Sequence, residues 1–198
     1  MHDYQPFSVI GFHSCDKAVG MRVLIGQDEL LPSQNSWDWL GEGIYFWEQN
    51  PLRAVEYAVE SAQRKQFNKK PIEIPFVIGA IIDLGNCLNL TESGSLKILS
   101  TAYTGLKLLK DLSGEAMPVT NGNNRALDCA VIEYLHQTQK VNNQPQFDTV
   151  RCAFPEGEQA YSNSFISSRL HMQICVRNAE CIKGFFIPRP IGKYNSVN

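Results

Sequence analysis

The chain lacks the devices by which many proteins declare a partner. No stretch approaches the roughly 20 consecutive apolar residues that a bilayer-spanning helix needs. Residues 1–6 are polar and carry no signal-peptide pattern, so the expectation is a cytoplasmic protein without membrane contact. There is no C-x-x-C, and His2, His13, His136 and His171 are not spaced as metal ligands, so no metal cofactor is expected. The six cysteines are scattered and read as reduced thiols, several of them in the core. Neither G-x-G-x-x-G nor a P-loop occurs, so a bound nucleotide must be held by another device. Charge of neither sign dominates. A formal net charge of −2 gives no general attraction to nucleic acid, and the short basic run Arg64, Lys65, Lys69 and Lys70 reads as a solvated helix end.

What the chain does have is a globular composition, 43% hydrophobic and 19% charged, which excludes wholesale disorder. Its 198 residues suit one domain, 1–198, with a single sizeable core. Apolar runs predict strands at residues 7–13, 43–47 and 75–84, then at 147–154, 170–176 and 182–187. A helix is expected over 16–25, with Ala18, Met21, Val23 and Leu24 toward the core and Gly26 as its stop. A second helix opens at Asn50-Pro51, N-cap and first turn, and runs to about residue 66. Two more cover 95–112 and 125–139, joined by a turn-rich segment. Helices gathered in the first two thirds and strands at the end indicate α+β rather than a doubly wound fold.

Residues 39–47 read Trp-Leu-Gly-Glu-Gly-Ile-Tyr-Phe-Trp. Gly41-x-Gly43-Ile44-Tyr45-Phe46 resembles the G-x-G-I-Y-F element of poly(ADP-ribose) polymerases and their diphtheria-toxin-like relatives, compact bacterial transferases among them. Two more blocks of that family follow in order. His13 ends a strand 32 residues before Tyr45, and Tyr57 stands on the helix after it. The resemblance implies a split, mainly antiparallel sheet flanked by helices, with the Tyr45 strand central and a cleft between the His13 and Gln173 strands. It also implies NAD+ as substrate.

Cleaving the nicotinamide–ribose bond produces an oxocarbenium-like transition state and a flat leaving group. Two aromatic rings can sandwich that group, each contact worth roughly 0.5–1.5 kcal/mol. The resemblance gives this role to Tyr45 and Tyr57, and gives a ribose hydroxyl to His13, which can bind it without titrating. Gly41 and Gly43 would let the backbone turn and approach the ligand closely. Three positions depart from the family. Ser14 follows the histidine where glycine is usual, Ala54 replaces a serine, and Gln173 stands where many members carry the catalytic glutamate.

Alternation places His171, Gln173 and Cys175 on one strand face, toward the cleft, and Met172, Ile174 and Val176 toward the core. A neutral amide stabilises developing positive charge less than a carboxylate does. A carboxylate would then come from Glu156 or Glu158 in the preceding loop. The implied catalytic set is His13, Tyr45, Gln173, Glu156 and Glu158, and the NAD+-binding set is His13, Ser14, Gly43, Tyr45 and Tyr57. The implied activity is mono-ADP-ribosyl transfer to RNA, DNA or protein by an intracellular toxin or anti-phage effector, with an antitoxin protein as a possible partner. NAD+ hydrolysis, an inactive NAD+- or ADP-ribose-binding module and an unrelated α+β protein remain the alternatives.

Overall fold

Asp16 shows how the chain turns its first corner. One of its carboxylate oxygens caps the following helix by accepting from Ala18 N at 2.9 Å. The other accepts from Glu73 N and Ile74 N, which fixes the entry to a distant strand. In the computed structural model, which describes residues 8–64, 72–121 and 124–195, such corners join seven strands and five helices. These are β1 (Ser8–Asp16), α1 (Lys17–Leu24), β2 (Ile44–Glu48), α2 (Pro51–Gln63), β3 (Pro75–Asp83) and β4 (Cys87–Asn89). Then come α3 (Ser93–Ser113), α4 (Ala126–Val141), β5 (Thr149–Gln159), β6 (Ser167–Val176), a 3-10 turn (Ala179–Cys181), β7 (Ile182–Phe186) and α5 (Ile191–Tyr194). No described helix is long and apolar enough to cross a membrane.

The fold is α+β. Its strands form one continuous, mostly antiparallel sheet, not a split one, in the order β4-β5-β6-β2-β1-β3-β7, with β2 in the centre and β4–β5 as a parallel pair. Asn50 caps α2 through Arg53 N and Pro51 stands at its first turn, as the sequence indicates. Gly26, with φ +70°, lies just past α1.

Several expectations change. β1 continues three residues past His13, because Ser14, Cys15 and Asp16 go on pairing with β3. Ala18 and Met21 are exposed, leaving Val23 as the buried apolar residue of α1 and Leu24 half-buried. β4 is an added strand of three residues, too short to carry a periodic signal. Residues 155–159, expected as loop, are the outer part of β5, paired with β6 through Glu156↔Arg169 and Gln159↔Ser167 across a register shift. Phe7, the end of the second expected helix and Lys65, Lys69 and Lys70 lie outside the described residues.

Alternation along the strands sorts the interior into three cores. On one face Ile44, Phe46, Ile78, Ala80, Ile82, Ile174 and Val176 form a continuous apolar layer under α1. On the other face two cores stand apart. Phe12, Trp47 and Val77 pack under α2 against its Ala54, while Val150, Phe154, Cys175 and Leu40 pack under α4 and α3. Cys175 is therefore buried in the second of these rather than lining a cleft. Between the two cores lies the join of β2 and β6, which carries Tyr45 and Gln173 in the register Tyr45↔Cys175 and Trp47↔Gln173.

Gly43 has a packing role that its sequence context does not reveal. A Cβ there would lie 2.4 Å from Cys175 Sγ and 2.7 Å from the Val176 carbonyl, so the close neighbour is β6. Gly43→Ala should cost about 1–3 kcal/mol through overpacking. The measurement is urea denaturation, in which the midpoint falls with little change in slope; an unmoved midpoint would mean that β6 gives way freely.

Candidate functional site

β1 and β2 are joined over a short length. Their register pairs are Gly11↔Glu48 and Phe12↔Trp47, and Gln49 N donates to the Ile10 carbonyl at 2.8 Å. In an antiparallel ladder alternate residues turn their N–H and C=O to the same neighbour. Ile10 faces β2, so Phe12 and Ser14 do too. The same alternation is visible from the other side, where both main-chain groups of Val77, the register partner of Ser14, are taken by the Asn195 side chain. Continued pairing would bring Ser14 opposite Tyr45. Instead His13 Nδ1 donates to the Tyr45 carbonyl at 2.8 Å. The imidazole takes the place of a strand-to-strand bond, and the main chain of Ser14 faces the opening beyond the last register pair.

Because a carbonyl only accepts, the proton of His13 sits on Nδ1 and Nε2 is an acceptor. Burial holds the pKa of His13 below the usual histidine value, although the bond to Tyr45 pulls it up. Ser14 lies in regular extended strand, and its hydroxyl donates to the Ala54 carbonyl at 2.5 Å, tying β1 to α2. The hydroxyl is thus used within the fold, and the main chain of Ser14 is the part turned toward β2 beyond the last register pair.

The Tyr45 hydroxyl folds back on its own turn, donating to the Gly41 carbonyl at 2.7 Å and accepting from Leu40 N at 3.0 Å. That turn is held from α4. Glu133 accepts from Glu42 N at 2.7 Å and pairs with Arg177, which also donates to the Glu42 carbonyl at 2.8 Å. Tyr57 sets its ring 5.0 Å from Trp47, two residues beyond Tyr45 on the same strand face, and is 43% exposed. Burial raises the pKa of both tyrosines, and the Asp38 carboxylate in the 33–43 loop adds to the shift at each. Asp38 therefore lies within electrostatic reach of both rings.

Across β2, Gln173 and His171 form a hydrogen-bonded pair. Gln173 Nε2 lies 2.9 Å from His171 Nε2, and His171 Nδ1 lies 2.7 Å from the Arg169 carbonyl. Glu156 shares this face. It accepts from Arg53 Nη2 at 2.9 Å, and that buried guanidinium sits 5.9 Å from the Trp47 ring. Glu158, beyond Gly157, lies exposed.

The structure thus gathers His13, Ser14, Tyr45, Tyr57, Gln173 and Glu156 around the β1–β2–β6 join, while Gly43 serves β6 packing and Glu158 is exposed. Sequence reading missed Arg53, the orienting bonds of His171 and the Glu133–Arg177 clamp. Arg53 carries one available signal, since it stands four residues before Tyr57 and so on the same helix face. Two cavities of about 350 and 240 Å³ flank α3, lined mainly by apolar side chains such as Ile98, Leu99 and Leu135. Neither is lined by the candidate-site residues above; the smaller is lined in part by Asp128, whose pKa burial raises. Among the described residues no group of His, Cys, Asp and Glu is arranged to hold a metal ion.

The chain is similar to an uncharacterized protein of Methanocaldococcus jannaschii, 26% identical over 192 residues that cover 87% of this chain and 83% of the archaeal one. No family model matches the chain, and no solved structure matches it.

Proposed function

We propose that the chain binds NAD+ over the β2–β6 join and transfers its ADP-ribose to RNA, DNA or protein, as a mono-ADP-ribosyltransferase similar to the poly(ADP-ribose) polymerases. The observation that carries this reading is the wedge at His13. It leaves the main-chain N–H and C=O of Ser14 turned toward an opening beside Tyr45, which suits the carboxamide of nicotinamide. The faces of Tyr45 and Tyr57 would hold the flat ring. His13 Nε2 and Gln173 would accept from hydroxyls of the adjoining ribose.

The bond between C1′ and the nicotinamide nitrogen breaks with its electron pair leaving on nitrogen, so the leaving group departs neutral and needs no acid. The positive charge passes to the ribose as an oxocarbenium, and a nucleophile of the acceptor forms the new bond at C1′ and gives up its proton. Positioning and charge stabilisation are then the principal sources of rate. Glu156 is the carboxylate best placed to supply negative charge, and its pairing with Arg53 fixes its position while offsetting part of that charge. Gln173 favours a second reading, a module that binds NAD+ without cleaving it.

Incubation with NAD+ labelled in the adenylate half, alone and with RNA, DNA or cell lysate, separates these outcomes. Transfer predicts label on a macromolecule together with free nicotinamide. Nicotinamide release without incorporated label means hydrolysis, intact NAD+ that binds means a binding module, and neither binding nor cleavage removes the reading. Tyr57→Ala, at an exposed position, should weaken NAD+ binding about two- to tenfold through lost stacking and leave the melting temperature near wild type. Glu156→Gln should lower transfer more than NAD+ affinity, since its charge matters chiefly in the transition state. If Glu156→Gln and Glu158→Ala both transfer at the wild-type rate, the carboxylate lies elsewhere.

A further inference from the structure

We infer that His171 is a positioning residue whose tautomer turns the amide oxygen of Gln173, and not its nitrogen, toward the cleft. The inference rests on the NAD+ reading for its purpose but on two hydrogen bonds for its geometry. The Arg169 carbonyl can only accept, so the 2.7 Å contact puts the imidazole proton on His171 Nδ1. Neutral His171 then has a bare Nε2. That nitrogen accepts from the amide nitrogen of Gln173 at 2.9 Å. The amide hydrogen so engaged defines which way the flat group faces, and the Oε1 end is left for another partner.

The ring itself is well held. His171 is 5% exposed, and Phe154 stacks on it with centroids 6.0 Å apart and planes 29° from parallel. The charges around it come from three elements. Glu156 of β5 is paired with Arg53 of α2, Glu56 of α2 stands 3.7 Å from the same guanidinium, and Arg169 of β6 is paired with Glu60 at 2.8 Å. Burial lowers the pKa of His171, against the pull of its bond to Arg169 and of Glu156, so the neutral form prevails at neutral pH.

The orientation matters because the two ends of an amide have opposite polarity. An oxygen accepting from a ribose hydroxyl leaves that hydroxyl more electron-rich and points the negative end of a dipole at a forming oxocarbenium. An N–H in its place would oppose the same charge. Protonating His171 makes Nε2 a donor, which requires Gln173 to turn over and present its nitrogen. The expected consequence is an acid limb in turnover, with activity falling as pH drops through a value below the usual histidine range of about 6.5. Here Gln173 performs by orientation part of what a carboxylate performs by charge.

The test uses the wild-type chain, labelled with 15N and carrying no added ligand. Long-range 1H–15N spectra read the tautomer of His171, and the side-chain amide signals of Gln173 should shift with the same midpoint as the imidazole. Nicotinamide release by variants adds the kinetic arm. His171→Leu should lower kcat about tenfold with a smaller change in KM. His171→Gln, whose side-chain oxygen can accept the same amide, should recover part of that loss and remove the part of the acid limb that tracks the His171 imidazole, leaving the part due to His13. An Nε2–H tautomer at neutral pH, or Gln173 signals that stay put while His171 titrates, overturns the inference. If the two side chains titrate together but NAD+ is never bound or cleaved, the positioning stands and the NAD+ reading fails.

Discussion

A main-chain carbonyl in the middle of a sheet needs a donor, and leaving one unpaired in the interior costs about 1–3 kcal/mol. At Tyr45 the donor is a side chain. The Nδ1–H of His13 stands where the amide of Ser14 would otherwise be, so the carbonyl is satisfied and the two strands still separate. This substitution lets the sheet open at its centre with the Tyr45 carbonyl satisfied, while the main chain of Ser14 is left turned to the opening. The arrangement around the candidate site follows from it. Ser14 keeps its side chain for Ala54 and its main chain for the opening, and β2 turns away toward the 33–43 loop through the Ser33↔Gly43 bridge.

That loop is held as firmly as the strands. Tyr45 closes the Gly41 turn from below with its hydroxyl, and Glu133 and Arg177 grip Glu42 from α4. Gly41, at φ +78°, adopts a conformation that side chains other than glycine's rarely take, and a Cβ there would strike Glu133. The burial that keeps Glu133 close is opposed by its bonds to Arg177 and Glu42 N, and its pKa is lowered on balance. The clamp is therefore charged at neutral pH, and it joins the second core to the edge of the site.

Much of this framework is legible in the residues. Asn50-Pro51 announces a helix because its chemistry is local, and residues 75–83 announce a buried strand because the run is uninterrupted. The candidate site is less legible, because its pairs are remote in sequence. Arg53 and Glu156 are 103 residues apart and meet only through the sheet. Gly43 misleads for a different reason. A glycine reads the same whether its near neighbour is a ligand or a strand, and here it is β6. His171 could be placed on the face of Gln173 by alternation, but its tautomer is set by the Arg169 carbonyl, a group that every residue carries and no side-chain pattern reveals. Glu156 and Glu158 look alike around Gly157, yet the register shift in β5 sends one inward and the other to solvent.

The continuous apolar layer under α1 and the two separate cores opposite make the molecule unequal front to back. Phe46, Ile78 and Ile174, all fully buried, bind the two halves of the sheet together on one side like the spine of a book. On the other side the halves carry their own covers, α2 on one and α4 with α3 on the other, and the join of β2 and β6 runs between them. Interior packing is dense and resists compression, and on this face that packing is interrupted between the two cores. A molecule lodged between Ser14 and Gln173 would lie across that interruption and bridge the two covers.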